Sequence, residues 1–413
     1  MKSTRLIVCA AAVLLAAGGC ASSSTPASPS SPTDSSSTTS STSSSDSSSP
    51  SAGDSASAGS VADSGSAGSS SSIGSASTDS TSGGGSGATI AFLMPCSTCA
   101  DRFENQDKPL FIQAVKDLDP SIKVIANNAQ GDASKQVAQT ESALTNGASV
   151  VVVSPLDEST GAAISDKAAA SKVPVVSYDG LITGAATDFY VSFDNVKVGE
   201  TQGEFLKDKL PKGASVVMIN GDQTIAPGRD FKKGAHNVLD PLFKSGDLKL
   251  AYESDTPGFD PAKGQAEMEQ ALTKLGDKVD AVLVPNDGLA GAVINALTPR
   301  KLAGKVLVTG QDATDAGLQR ILLGQQSMTV YKPLKAEAEA AAKVAVALAH
   351  GQADAAKQMS TSMVDNGNGQ VPSILLKSDP VTAANMASTV FADKFTTRAK
   401  VCTGDAASKC PAS

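Results

Sequence analysis

The chain contains no tryptophan and only two histidines, His236 and His350, in 413 residues. A catalytic triad that uses His, or a metal site built from several His, has almost no material here. No block of Lys and Arg occurs, and the net charge is −8. Affinity for nucleic acid comes mostly from neutralising phosphates, so no nucleic-acid partner is expected. No apolar run reaches the roughly 18–20 residues a spanning helix needs.

What is present falls into two unlike parts. Residues 1–20 combine Lys2 and Arg5, the apolar run LIVCAAAVLLAA and the ending GGC. That is the pattern of a secretory signal. The AAGGC ending resembles the lipobox of bacterial lipoproteins, in which the Cys, here Cys20, receives a diacylglyceryl group. A lipid anchor on the outer face of the cell membrane is the expectation, with no other membrane contact. Residues 21–87 are mostly Ser, Thr, Gly, Ala and Pro. Such a segment has too few apolar groups to offset ordering entropy and reads as a disordered tether. A coil of that length spans roughly 45 Å.

From Ala88 the sequence alternates. Continuous Val/Ile runs such as ATIAFLMP, ASVVVVSP, VPVVSYD, ASVVMING and DAVLVPND are separated by segments with helical spacing. Strands buried on both faces read as continuous apolar runs, so this is an α/β chain with parallel sheets flanked by helices. Two successive sets of similar size predict two similar lobes. A globular part near 300 residues needs no staples to fold.

In open α/β sheets, ligands bind in the crevice outside the carboxyl ends of the strands. The polar residues at those ends are Asp157, Asp179, Asn195, Asp222, Asn286, Asp287, Gln311 and Asp312. Carboxylates and amides there suit the many hydrogen bonds of a neutral polyol. Phe103 and Phe259, in predicted loops, can cover the apolar faces of a ring. Each polar residue taken alone is equally well read as a helix N-cap. The recurrence at several strand ends favours a site. No carboxylate pair stands apart from other polar groups as glycoside hydrolysis requires, so an enzyme is not expected.

The segments YDGLI, FYVSFDN-x-x-VGE, KVDAVLVPNDGLAGA, GKVLVTGQDA and MTVYKP resemble the D-xylose-binding proteins of bacterial ABC transporters. These belong to the type I periplasmic sugar-binding proteins. The likeness runs from about Thr89 to Phe395. It implies two lobes joined by three crossovers, near Asn195, near Gln311 and after His350. Lobe 1 would comprise 88–191 plus 311–351, and lobe 2 would comprise 192–310 plus 352–395. A tail, 396–413, follows. The resemblance puts ligand residues at Arg102, Asp179, Asn286, Asp312 and Lys332, with Phe259 where a stacking Trp is usual. It departs at Gly180, where the family has Arg, and at Ala226-Pro227-Gly228, where the family has an Asn-containing loop. Arg229 is then a candidate replacement for the missing guanidinium.

The implied function is capture of a monosaccharide, xylose or a related sugar, by a monomeric extracytoplasmic protein that serves an ABC permease. No cofactor or metal is implied. The alternatives are a sugar sensor acting on a signalling partner and a carbohydrate-active enzyme. Beyond Cys9 and Cys20, the cysteines are Cys96, Cys99, Cys402 and Cys410. An even number in an exported chain predicts disulfides. Three connectivities are possible, the local pairs being the simplest. Cys96-Ser-Thr-Cys99 is also compatible with a redox pair or half of a metal site.

Overall fold

The computed structural model describes residues 87–411. The signal segment, Cys20 and nearly all of the tether lie outside the described residues, so those expectations are not addressed by it. The first half runs β1 (Thr89–Met94), α1 (Lys108–Leu118), β2 (Lys123–Asn128), α2 (Ala133–Thr145), β3 (Val150–Val153), α3 (Glu158–Ala170), β4 (Val175–Tyr178) and β5 (Phe189–Phe193). The second half runs α4 (Asn195–Lys209), β6 (Ala214–Asn220), α5 (Ala226–Ser245), β7 (Leu248–Asp255), α6 (Pro261–Leu275), β8 (Ala281–Leu283), α7 (Asp287–Leu297), β9 (Leu307–Val308), α8 (Asp315–Leu323) and β10 (Thr329–Tyr331). Then come α9 (Leu334–Ala349), α10 (Ala353–Gln358), β11 (Ser362–Asp365), β12 (Gln370–Leu376), β13 (Asp379–Val381) and α11 (Arg398–Val401). The predicted strand–helix alternation is met element by element.

One large sheet has the order β11-β12-β5-β4-β3-β1-β2, a second β7-β6-β8-β9, and β10 and β13 form a separate antiparallel pair. Apart from the antiparallel β11–β12 pair, the first two sheets are parallel. Successive side chains of a strand point to opposite faces. In β1, Ile90, Phe92 and Met94 join one core layer, and Ala91 and Leu93 join the layer on the other face. In β6, Val217 and Ile219 divide from Val216 and Met218 in the same way. Both faces therefore need helices, which explains the unbroken Val/Ile runs.

The lobe boundaries differ from those expected. β5 ends at Phe193 and α4 begins at Asn195, with Asp194 between them. The second crossing is not at Gln311. Gln311 bridges Val330, so the chain is still in the second lobe, and it leaves only at Lys332-Pro333, between β10 and α9. The third is not after His350 but at Lys377-Ser378, because β12 pairs in parallel with β5 before β13 returns to β10. Residues 353–376 thus belong to lobe 1 and 311–331 to lobe 2. Pairing across the sheet overrides the order in which segments arrive along the chain.

Cys96 is joined to Cys99 and Cys402 to Cys410, the two local pairs. The second pair closes the tail. There Val401 and Ala406 pack with Leu318, Ile321 and Leu322 of α8. Among the described residues, no helix is long and apolar enough to cross a membrane.

Candidate functional site

The carboxyl ends of the strands of both lobes face one cavity. Its interior has room for water-molecule centres over about 70 Å³. Lobe 1 contributes Arg102 and Phe103 after β1, Ser154 to Leu156 after β3, and Asp179 and Gly180 after β4. Lobe 2 contributes Ile225, Pro227 and Phe231 around the start of α5, Phe259 after β7, Asn286 after β8, and Gln311 and Asp312 after β9, with Lys332 at the second crossing.

The polar end is a buried charge network. Arg102 donates through Nη1 to Asp179 Oδ1 at 2.7 Å, through Nε to Asp107 Oδ2 at 2.8 Å and through Nη2 to Glu337 Oε2. Lys332 Nζ donates to Asp179 Oδ1 at 3.1 Å and stands 3.6 Å from Asp312 Oδ1. Arg102, Lys332 and Asp312 are all nearly inaccessible. Burial works to raise the Asp179 carboxyl, but Arg102 and Lys332 outweigh it and hold Asp179 below its ordinary range. At Asp312 burial wins and the carboxyl is raised, because Lys332 and Arg102 offset only part of the desolvation. Glu337 lies behind Arg102 on α9 and is pushed up to about 8, first by burial and then by the nearby Asp179 and Asp107 charges.

Several acceptors in or beside this network have no donor. Asp312 Oδ1 and Gln311 Oε1 are buried without a hydrogen-bond partner. Leaving a buried acceptor unmade costs about 1–3 kcal/mol, more when it is charged. The backbone is also strained at this wall. Asp179 (φ 58°), Phe259 (φ 50°) and Asp312 (φ 90°) all take positive φ. Such conformations cost of order 1–3 kcal/mol each and cluster at ligand sites. The Phe259 ring lies over Gly221, where an added Cβ would come within 2.2 Å of it.

Of the expected site residues, Arg102, Phe103, Asp179, Phe259, Asn286, Gln311, Asp312 and Lys332 line the cavity. Three do not. Asn195 is the first residue of α4 and is buried near the Tyr190 and Ser192 hydroxyls, at 3.5 and 3.4 Å. Asp287 is turned away from the cavity and accepts from Thr314 N (2.9 Å) and Gln326 Nε2 (2.6 Å), tying α7 to α8. Burial pushes its carboxyl up to about 6. Arg229 sits at the rim, 3.3 Å from Glu158 of lobe 1, and does not replace a guanidinium inside the cavity. The N-cap reading also holds at specific places. Asp157 caps α3, and Asn286 both caps α7 and faces the cavity. Asp107 and Glu337, which orient Arg102, were not foreseen. Neither follows a strand, and only folding brings Glu337 beside Arg102.

A family model described as a periplasmic binding protein domain matches residues 90–353. The chain is 36% identical over 290 residues to the D-xylose-binding periplasmic protein of Escherichia coli strain K12, covering 70% of this chain and 86% of that protein. It is 35% identical over 296 residues to the D-xylose-binding periplasmic protein of Haemophilus influenzae, covering 72% and 87%. Among solved structures, a carbohydrate transporter solute binding protein from Chloroflexus aurantiacus in complex with D-glucose matches with a TM-score of 0.69 at 27% identity, over 75% of this chain and 97% of that one. These relatives are sugar- or solute-binding proteins.

Proposed function

The chain belongs to the periplasmic binding protein domain family, and on that premise we propose that it captures a monosaccharide between its two lobes and delivers it to an ABC permease. The observation that carries this reading is the pairing of unmade acceptors with fixed donors. Asp312 Oδ1 and Gln311 Oε1 lack hydrogen-bond donors, while Arg102, Lys332 and Asn286 present N–H groups to the same cavity. Vicinal hydroxyls donate and accept at once, so one neutral sugar satisfies both sets. Phe103, Phe231 and Phe259 cover the apolar ring faces.

The sugar is xylose or a close relative. Gly180 leaves its position without a side chain, and an added Cβ would approach Pro155 Cδ to 3.3 Å. The wall beside it, Pro155, Leu156, Ile225 and Pro227, is apolar. A thermal-shift screen against pentoses and hexoses tests the reading. A ligand at 100 times its Kd adds about 2.7 kcal/mol to stability. Melting unmoved by every sugar would overturn it.

The protein works as a monomer outside the cytoplasm, held to the membrane by lipid on Cys20. The lipobox-like AAGGC ending supports this, and acyl burial contributes about 0.8 kcal/mol per CH₂. Cys20→Ser should release the protein from the membrane fraction; unchanged retention sinks the anchor.

A further inference from the structure

The loop Pro95–Asp101 joins the end of β1 to Arg102 and Phe103 and contains the Cys96–Cys99 pair, whose Cα atoms are 5.8 Å apart. Cys96 is 1% exposed, within the lobe 1 core. Cys99 packs against the cores of both lobes and lines the cavity with Pro95 and Ala100. The Cys99 carbonyl accepts from Asn286 Nδ2 of lobe 2 at 3.2 Å. Asn286 Oδ1 is already committed to Leu289 N at 2.9 Å. The amide is therefore held at both ends, with one N–H left for the cavity. Between the two cysteines, Ser97 Oγ accepts from Asn128 Nδ2 and Gln130 Nε2, at 3.2 and 3.0 Å. One short loop thus aims two side chains of lobe 1 and orients one of lobe 2.

We propose that the Cys96–Cys99 disulfide is a positioning element of the sugar site. It holds the 95–101 loop in the shape that points Arg102 and Phe103 into the cavity and offers the Cys99 carbonyl to Asn286. The inference rests on the sugar-binding reading above. No sheet ladder holds this loop. Without the cross-link, binding must order it, and that ordering is subtracted from affinity. The Cys402–Cys410 pair supplies the control, because neither of its residues lines the cavity.

The test is titration calorimetry of the full chain with D-xylose and with D-glucose, well below the melting temperature of each variant. Cys96→Ala/Cys99→Ala should bind at least tenfold more weakly, and Cys402→Ala/Cys410→Ala within twofold of the parent. Asn286→Ala should then cost less affinity in the Cys96→Ala/Cys99→Ala background than in the parent, since its anchor is already loosened. A staple that acts on stability alone leaves the two losses equal.

Should the first double variant fail to fold, the Cys402→Ala/Cys410→Ala protein is reduced with a water-soluble phosphine. The phosphine gives two electrons to the disulfide and takes oxygen from water, and each sulfur takes a proton. Affinity should fall tenfold and return on reoxidation. Binding within twofold after loss of Cys96–Cys99 overturns this inference alone. Should the parent bind neither sugar, the titration uses the pentose or hexose that shifts melting most; failure of the parent to bind any sugar of the thermal-shift screen overturns the sugar reading and this inference together.

Discussion

Asp312 holds an oxygen, Oδ1, that is buried and without a hydrogen-bond donor, in a carboxyl that burial shifts above its ordinary range. A sugar hydroxyl is the group that would repair it. Asp312→Ala should weaken sugar affinity by about 2 kcal/mol or more, within the range for hydrogen bonds to charged groups. Calorimetry giving the parent affinity in that variant removes Asp312 from the site. Glu337 makes a different prediction. Its folded carboxyl keeps its proton to about pH 8, whereas an unfolded glutamate releases it near ~4.3. Between those values the folded state binds more protons, so stability falls as pH rises, by at most about 1.4 kcal/mol per pH unit. The contribution is complete below the unfolded value and lost as pH passes about 8. Its Oε1 has no partner and is the atom available to carry the proton. Glu337→Gln should flatten the decline in urea midpoint between pH 5.5 and 9; an unchanged slope rules Glu337 out as its source.

At the scale of elements, the site depends on how closely α4 and α5 pack. A Cβ added at Gly199 would come within 2.0 Å of the Phe231 carbonyl oxygen, and one at Gly234 within 2.0 Å of the Val196 carbonyl oxygen. The helices touch backbone to backbone. This contact ties the helix that leaves the first crossing to the helix that carries Pro227 and Phe231 into the cavity. Gly199→Ala forces the two apart. It should cost about 1–3 kcal/mol, as over-packing of a tight core does, measured by denaturant unfolding. It should also weaken sugar binding, because Phe231 moves with α5. Parent stability in this variant would mean that the helices separate freely. Asp194, at the same crossing, caps α4 through Lys197 N at 3.0 Å.

For the whole molecule, the two lobes meet at the rim as well as at the three crossings. Glu158 N donates to the Thr224 carbonyl at 3.1 Å, and Arg229 pairs with Glu158 at 3.3 Å. Both side chains of that ion pair are substantially exposed, and such pairs contribute at most about 1 kcal/mol. A ligand shifts a two-state closure only by its differential affinity for the two states. Contacts across the rim therefore tune affinity without touching the sugar. Arg229→Ala should weaken binding by no more than about fivefold, and the difference should shrink in high salt as screening removes the pair. A larger, salt-independent loss would place Arg229 against the ligand after all.

Much of this was legible along the chain because it depends on local pattern. The strand–helix order and the unbroken Val/Ile runs follow from short-range periodicity, and several polar cavity residues from their place after strands. Arg102 and Lys332 came only from the family resemblance, and the local cysteine pairs were the simplest of three connectivities. What the chain alone left unsettled depends on pairing between distant segments. Residues 353–376 return to lobe 1 only because β12 finds β5. Whether Asp157 or Asn286 faces a ligand as well as capping its helix depends on what stands across the crevice. Glu337 is 235 positions from Arg102 in sequence and is buried against it, and no local spacing records such a contact. Sequence determined which side chains stand near the strand ends. The fold decided which of them share a cavity, because only three-dimensional closure sets who is buried, who is charged and who is left without a partner.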